Sequence, residues 1–217
     1  MQQVLSLLES MYPRAITALH HSNPFQLLVA TILSAQCTDE RVNIITQDLF
    51  PAFPGPEDLA QASFEDVADL IKSAGLWQTK ARNLIKTAQI LVEEHAGQVP
   101  STREELQALP GVGRKTANVV LANAFKIPAI AVDTHVFRVS NRIGLAEAAT
   151  PYQTELQLME IIPQKLWIDA HHWLILHGRA LCKARNPLCD QCPLNPHCAY
   201  YKAQSTDSAG KAHQTRA

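Results

Sequence analysis

The sequence predicts an all-α protein of about ten short helices with little or no sheet. Three observations carry this. Apolar residues recur at helical spacing, the β-branched alternation that a strand needs is rare, and there are only 8 glycines in 217 residues. Leu27, Leu28, Thr31, Ile32 and Ala35 form one such helical face, and Leu84, Ile85, Ala88, Leu91 and Val92 form another. Breakers divide the chain at short intervals: Ser22-Asn23-Pro24, Pro51 to Pro56, Gly75, Gly97 to Pro100, Pro110 to Gly113, Pro128, Pro151 and Pro163.

The length suits one large domain or two small ones sharing an interface, and 47% hydrophobic with 18% charged residues is a folded-domain composition. No apolar run approaches the roughly 20 residues that span a bilayer. Met1 to Arg14 has no basic segment leading into an apolar stretch, so no secretory signal is expected. For a bacterial cell a cytoplasmic location is expected, in a compartment where thiols stay reduced.

Taken in chain order, the first helical stretch of interest runs from Leu28 to Asp39 and carries Gln36 and Cys37. A lone cysteine there reads as a small buried apolar residue. The net charge of −1 does not favour a polyanionic partner, but the distribution is uneven. Glu57, Asp58, Glu65, Asp66 and Asp69 form an acidic run, and Lys72, Lys80, Arg82 and Lys86 form a basic run without an acid. Arg179, Lys183, Arg185 and Lys202 are opposed only by Asp190. Each cluster alone reads as a solvated helix face, and a binding face on a near-neutral protein has the same pattern.

Ser101 followed by Glu104 fits a capping box that opens the next helix. That helix leads into Leu109-Pro110-Gly111-Val112-Gly113-Arg114-Lys115-Thr116-Ala117, and an apolar helical run follows from Ala117 to Ala124. The whole reads as helix–hairpin–helix. Gly111 and Gly113 permit a tight turn whose backbone N–H groups face outward at a helix start, which suits a DNA phosphate. Such a grip is independent of base sequence. Lys115 falls in the first turn, where the positive end of the helix dipole disfavours a second positive charge. A free amine, as a nucleophilic lysine requires, is favoured there. Taken alone, the motif fits a simple phosphate contact better than catalysis.

Asp133 lies 18 residues after Lys115, one helix and one turn further on. It stands as the N-cap of a helix from Thr134 to Asn141. Capping does not exclude chemistry: a carboxylate brought back to the hairpin would activate an amine and stabilise a cation developing at a sugar C1′.

Cys182, Cys189, Cys192 and Cys198 follow C-x6-C-x2-C-x5-C within 17 residues. Four thiols packed so closely surround one metal centre. Zinc accepts four thiolates but is usually held by two short knuckles, and this run has one. The uneven loop favours the larger iron–sulfur cubane, with zinc still open from spacing alone. The stretch after Lys202 lacks large apolar residues and is expected to be disordered over 203–217.

With these motifs in view, the chain resembles the endonuclease III family of the helix–hairpin–helix DNA glycosylase superfamily, from about residue 5 to Lys202. Leu109 to Ala117, Val132 to Arg138, His171-His172-Trp173 to Arg179 and the four-cysteine run carry the likeness. The resemblance implies an all-α, two-lobed helix–hairpin–helix DNA glycosylase fold. A six-helix barrel lobe would span 18–129, with the hairpin module at about 101–124, and residues 1–17 with 130–202 would make the iron–sulfur cluster lobe. It implies a [4Fe–4S] cluster on Cys182, Cys189, Cys192 and Cys198.

It also implies a bifunctional DNA N-glycosylase and abasic-site lyase. The enzyme would be a monomer acting on double-stranded DNA with damaged bases or abasic sites, removing oxidised pyrimidines. Lys115 would attack C1′, expel the base and hold the sugar as a Schiff base that resolves by β-elimination, with Asp133 as its activating partner. Gln36 would enter the gap left by the flipped nucleotide and Leu76 would wedge from the opposite side. Gly111, Gly113, Arg114 and Thr116 of the hairpin, and Lys183 and Arg185 between the first two cysteines, would touch the DNA backbone.

The chain departs from the family pattern at Cys37 and Trp77, and the stretch from Ile143 to Gln157 reads as ordinary surface variation. Two other readings compete. One is a sister glycosylase that removes adenine opposite oxidised guanine. It uses a glutamate on the helix corresponding to Leu27 to Asp39, which here has no acid before Asp39. The other is a non-catalytic binding module, with Lys115 a phosphate contact and Asp133 only a cap.

Overall fold

A computed structural model describes residues 2–204. All regular structure among the described residues is helical, with no strand: eleven α-helices and three short 3-10 turns between 2 and 197, and a further helical segment from 199. The expected disorder over 203–217 falls almost entirely outside the described residues, and the two that are described, 203 and 204, are helical. The chain divides into two compact units. One comprises Thr17 to Ala129, the other the residues up to Ile16 together with those from Ile130 onward.

The first unit holds α2 (Pro24–Leu33), α3 (Asp39–Ala52), α4 (Pro56–Ala60), α5 (Phe64–Ile71), α6 (Trp77–His95), α7 (Arg103–Ala108) and α8 (Arg114–Ala124). Two helices are its core. In α2, Phe25 and every residue from Leu27 to Leu33 are buried, and in α8 every residue from Ala117 to Asn123 is buried. A helix apolar on all sides has to be enclosed, and α2 packs against α8, α3 and α6. Leu27, Leu28 and Leu33 are fully buried, each contributing about 1.5–3 kcal/mol by leaving water. The longer α6 lies against α4 and α5 through one apolar stripe.

The second unit is built from α1 (Gln2–Met11), α9 (Thr134–Ile143), α10 (Pro151–Ile161) and α11 (Trp167–Ala180). Its core joins Leu5 and Leu8 of α1, Val136 and Val139 of α9, Leu158 of α10 and Trp173 of α11. After α11 the chain runs through 3-10 turns at Cys189–Gln191 and Asn195–His197.

Three local expectations are corrected. Leu28 to Asp39 is not one helix: α2 ends at Leu33, and Thr38 caps α3 by accepting from the Arg41 N–H. Thr38 with Asp39 and Glu40 is a strong helix start, and it outweighs continuation of α2. Cys37 accordingly sits half-buried in the bend between the two helices. The cap of α7 is Thr102 and not Ser101, its hydroxyl accepting from the Glu105 N–H and donating to the Glu105 carboxylate. Neighbouring Ser-Thr and Glu-Glu pairs offer the same three-residue spacing in two registers. Finally, 143–157 is not mere surface, because Ile143, Leu145 and Ala146 are buried and Thr154 and Glu155 of α10 are enclosed.

Candidate functional site

Leu109 to Gly113 join α7 to α8 as a hairpin. Val112 is its buried anchor, with its N–H donating to the Leu109 carbonyl at 3.1 Å. Gly111 has φ +78°, a conformation that favours glycine, and a Cβ there would lie 2.8 Å from the Asn83 side-chain nitrogen, which would have to move aside. Thr87 of α6 donates to the Pro110 carbonyl at 3.2 Å and fixes the turn from below. Gly113 is the N-cap of α8 and supplies no side-chain cap. No side chain of the cap residue covers the first turn, and the dipole there favours an anion. Lys115 projects from this turn and is exposed, while Arg114 and Thr116 beside it are half-buried.

Gln36 and Leu76 share an unusual backbone. Their φ values are +53° and +59°, and both side chains are exposed, Leu76 at 60%. Left-handed backbone at an L-residue costs roughly 1–2 kcal/mol, so the surrounding structure must hold it. Leu76 is also the N-cap of α6 and makes no side-chain cap bond.

Lys80 corrects the expected basic face. It is 4% exposed, and its Nζ donates to the Leu33 carbonyl at 2.8 Å and the Ala35 carbonyl at 2.6 Å. Burial holds its pKa below the ordinary lysine value, with Cys37 nearby acting in the opposite direction. The basic run therefore has fewer surface charges than its sequence suggests. A signal was present: Lys80, Leu84, Ala88 and Leu91 follow the spacing of the apolar stripe of α6.

Asp133 opens α9, its Oδ1 accepting from the Val136 N–H at 2.7 Å. Lys115 belongs to the first unit and Asp133 to the second. Further along α9, Arg138 donates through Nε to the Cys182 carbonyl at 3.1 Å. Arg142 donates to the Lys183 carbonyl at 2.7 Å and the Ala184 carbonyl at 3.1 Å, and lies 4.7 Å from the Tyr200 ring centre. With its carbonyls so held, this segment presents Lys183 and Arg185 exposed.

Cys182, Cys189, Cys192 and Cys198 line a single cavity closed by apolar walls that include Ile143, Leu188 and Leu194. None forms a disulfide. Among the described residues no three His, Cys, Asp or Glu side chains converge to hold a single ion. Four thiols spread around one cavity suit a cluster that binds each at its own iron. His177, 1% exposed, lies between Tyr12 of α1 and this cavity, with Nδ1 3.2 Å from the Tyr12 hydroxyl and Nε2 3.5 Å from Cys192 Sγ. With a metal bound, Cys192 would be a thiolate, and His177 would then donate to it through Nε2–H and accept from Tyr12 at Nδ1. Burial pushes His177 down to about 4, in keeping with a neutral ring. Burial, and secondarily the Cys192 charge, pushes Tyr12 up to about 12.

The model of the HhH-GPD superfamily base excision DNA repair proteins matches residues 29–164, and that of the iron–sulfur binding domain of endonuclease III matches residues 182–198. Endonuclease III of Escherichia coli (strain K12) is 48% identical over 198 residues, 91% of this chain and 94% of that protein. Endonuclease III of Bacillus subtilis (strain 168) is 46% identical over 207 residues, 95% and 94% of the two chains. Among solved structures, a trapped endonuclease III–DNA covalent intermediate, an estranged-adenine complex, superposes with a TM-score of 0.89 at 46% identity, covering 94% of this chain and 98% of that one. A thermostable thymine-DNA glycosylase superposes with a TM-score of 0.83 at 25% identity, covering 93% and 96%.

Proposed function

The chain belongs to the HhH-GPD superfamily of base excision DNA repair proteins, in its endonuclease III family, and we propose that it excises oxidised pyrimidines from duplex DNA and cleaves the abasic sites that result. It is a DNA glycosylase with a [4Fe–4S] cluster. The observation that carries the finer reading is Lys115, an exposed amine in the first turn of an uncapped helix directly after a glycine hairpin. A relative of 46% identity has been trapped in covalent linkage to DNA, and a lysine amine is a chemically suitable nucleophile for such a linkage.

In this reading the hairpin amides of Gly111 and Gly113, with Arg114 and Thr116, take a backbone phosphate and set the register of Lys115. The Lys115 amine attacks C1′, the C1′–N bond breaks, and the base leaves with a proton. The amine nitrogen and C1′ then form an imine as the sugar ring opens. Loss of a C2′ proton breaks the C3′–O bond, so the downstream strand leaves with a 5′-phosphate, and water hydrolyses the imine to free the lysine and an α,β-unsaturated sugar aldehyde on the upstream strand. Asp133 takes the proton from the attacking amine and stabilises the cation at C1′. Its cap bond to Val136 uses Oδ1 and leaves Oδ2 for that task.

Cys182, Cys189, Cys192 and Cys198 hold the cluster, which supplies structure to the loop bearing Lys183 and Arg185. We assign 18–129 as the barrel lobe and 1–17 with 130–202 as the cluster lobe of a monomer acting in the cytoplasm. No helix among the described residues is long and apolar enough to cross a membrane.

A panel of defined-lesion duplexes tests the function. Excision of an oxidised pyrimidine, with nicking at the same site, is expected. Excision of adenine opposite oxidised guanine without nicking would replace this reading with that of the sister glycosylase. Lys183→Ala and Arg185→Ala are expected to weaken binding to all sequences alike and to lower the salt slope by about one unit each. A change of lesion preference at an unaltered salt slope would contradict the backbone role.

A further inference from the structure

We propose that Lys80 is a positioning residue that sets Gln36 and Leu76 in the mutual register needed to fill the duplex when a nucleotide is turned out. The proposal rests on the reading that these two residues enter the DNA.

Lys80 is bonded to both loop tips. Its backbone N–H donates to the Leu76 carbonyl at 3.1 Å, while its ammonium holds the carbonyls of Leu33 and Ala35, the second immediately before Gln36. The two loops also touch directly, since a Cβ on Gly75 would lie 3.1 Å from the Gln36 carbonyl oxygen. One residue on α6 thus ties the end of α2 to its own helix start, and the two exposed tips flank that tie in left-handed backbone.

The choice of lysine is informative. A methionine would fill this space without the desolvation cost of a buried ammonium. What lysine adds is reach and charge-assisted bonds to carbonyls left over at a helix end. Filling a duplex gap is sensitive to placement, and a shift near 1 Å in a positioned group can cost on the order of a hundredfold in rate. Turning out a paired base demands the most of the filling residues, and an abasic site the least.

The test compares Lys80→Met, Leu76→Ala and their double variant in the cluster-loaded protein. Single-turnover rates are measured on a paired oxidised pyrimidine and on an abasic site, with the fluorescence of a 2-aminopurine opposite the lesion reporting insertion. Lys80→Met is expected to slow base removal about tenfold or more, to leave abasic cleavage within about threefold, and to abolish the fluorescence change. The double variant is expected to be no slower than the worse single variant, because both remove one function. Equal losses on both substrates, or losses that multiply in the double variant, would make Lys80 ordinary core support and overturn the proposal. Equal losses for Leu76→Ala alone would instead remove the insertion reading, and this proposal with it. Should Lys80→Met fail to fold, Gly75→Ala presses the loops apart without touching the ammonium. The same selective loss is expected there, and its absence counts against the shared register.

Discussion

Asp133→Asn will leave the fold in place and slow both base removal and strand cleavage by about a hundredfold or more. The fold survives because the asparagine side-chain oxygen can accept the Val136 N–H as Oδ1 does at 2.7 Å. With the cap intact, α9 keeps Arg138 and Arg142 on the segment that follows Cys182. What disappears is the negative charge and the capacity to take a proton, a contribution of roughly 10²–10⁴ in rate for a positioned base. Asp133→Ala separates the two roles. It adds a cap loss of about 0.5–2 kcal/mol in stability to the same loss of rate. Thermal melting and single-turnover kinetics on one preparation decide the matter. If Asp133→Asn matched the wild type while Asp133→Ala merely melted earlier, the residue would be a cap and nothing more.

The features legible in the sequence were those whose physics is local. The cap at Asp133, the hairpin around Gly111 and the cysteine spacing depend on residues within one or two turns of each other, and the structure reproduces the cap and the hairpin directly. The absence of strands among the described residues likewise follows from helical periodicity throughout. What escaped were features settled by tertiary packing. In the sequence Lys80 is one charge in a basic run, yet its acceptors lie 45 and 47 residues away on another helix end. The stretch from Ile143 looked variable, but Ile143 and Leu145 join a core that includes Leu8 of α1. The break at Cys37 is the exception, a local signal in which the Thr38 cap competes with continuation of the preceding helix. The left-handed backbone at Gln36 and Leu76 had no residue signature at all, since neither is Gly, Asn or Asp.

The central claim is that Lys115 is a nucleophile. A lysine that only touches phosphate can be replaced by glutamine with a modest loss of affinity, because some hydrogen bonding survives. A nucleophilic lysine cannot, because glutamine has no amine with which to form an imine. Lys115→Gln keeps the Gly113 start of α8 and the Ala117 anchor beneath it, so the hairpin grip should persist. The most direct measurement is borohydride trapping on a duplex containing an abasic site, with wild type and Lys115→Gln side by side and binding measured on the same DNA. The account predicts a covalent protein–DNA band for the wild type. For Lys115→Gln it predicts near-normal binding, no band, and nicking reduced by orders of magnitude. A Lys115→Gln protein that is trapped and nicks at wild-type rates would contradict it, and would leave the lysine a phosphate contact.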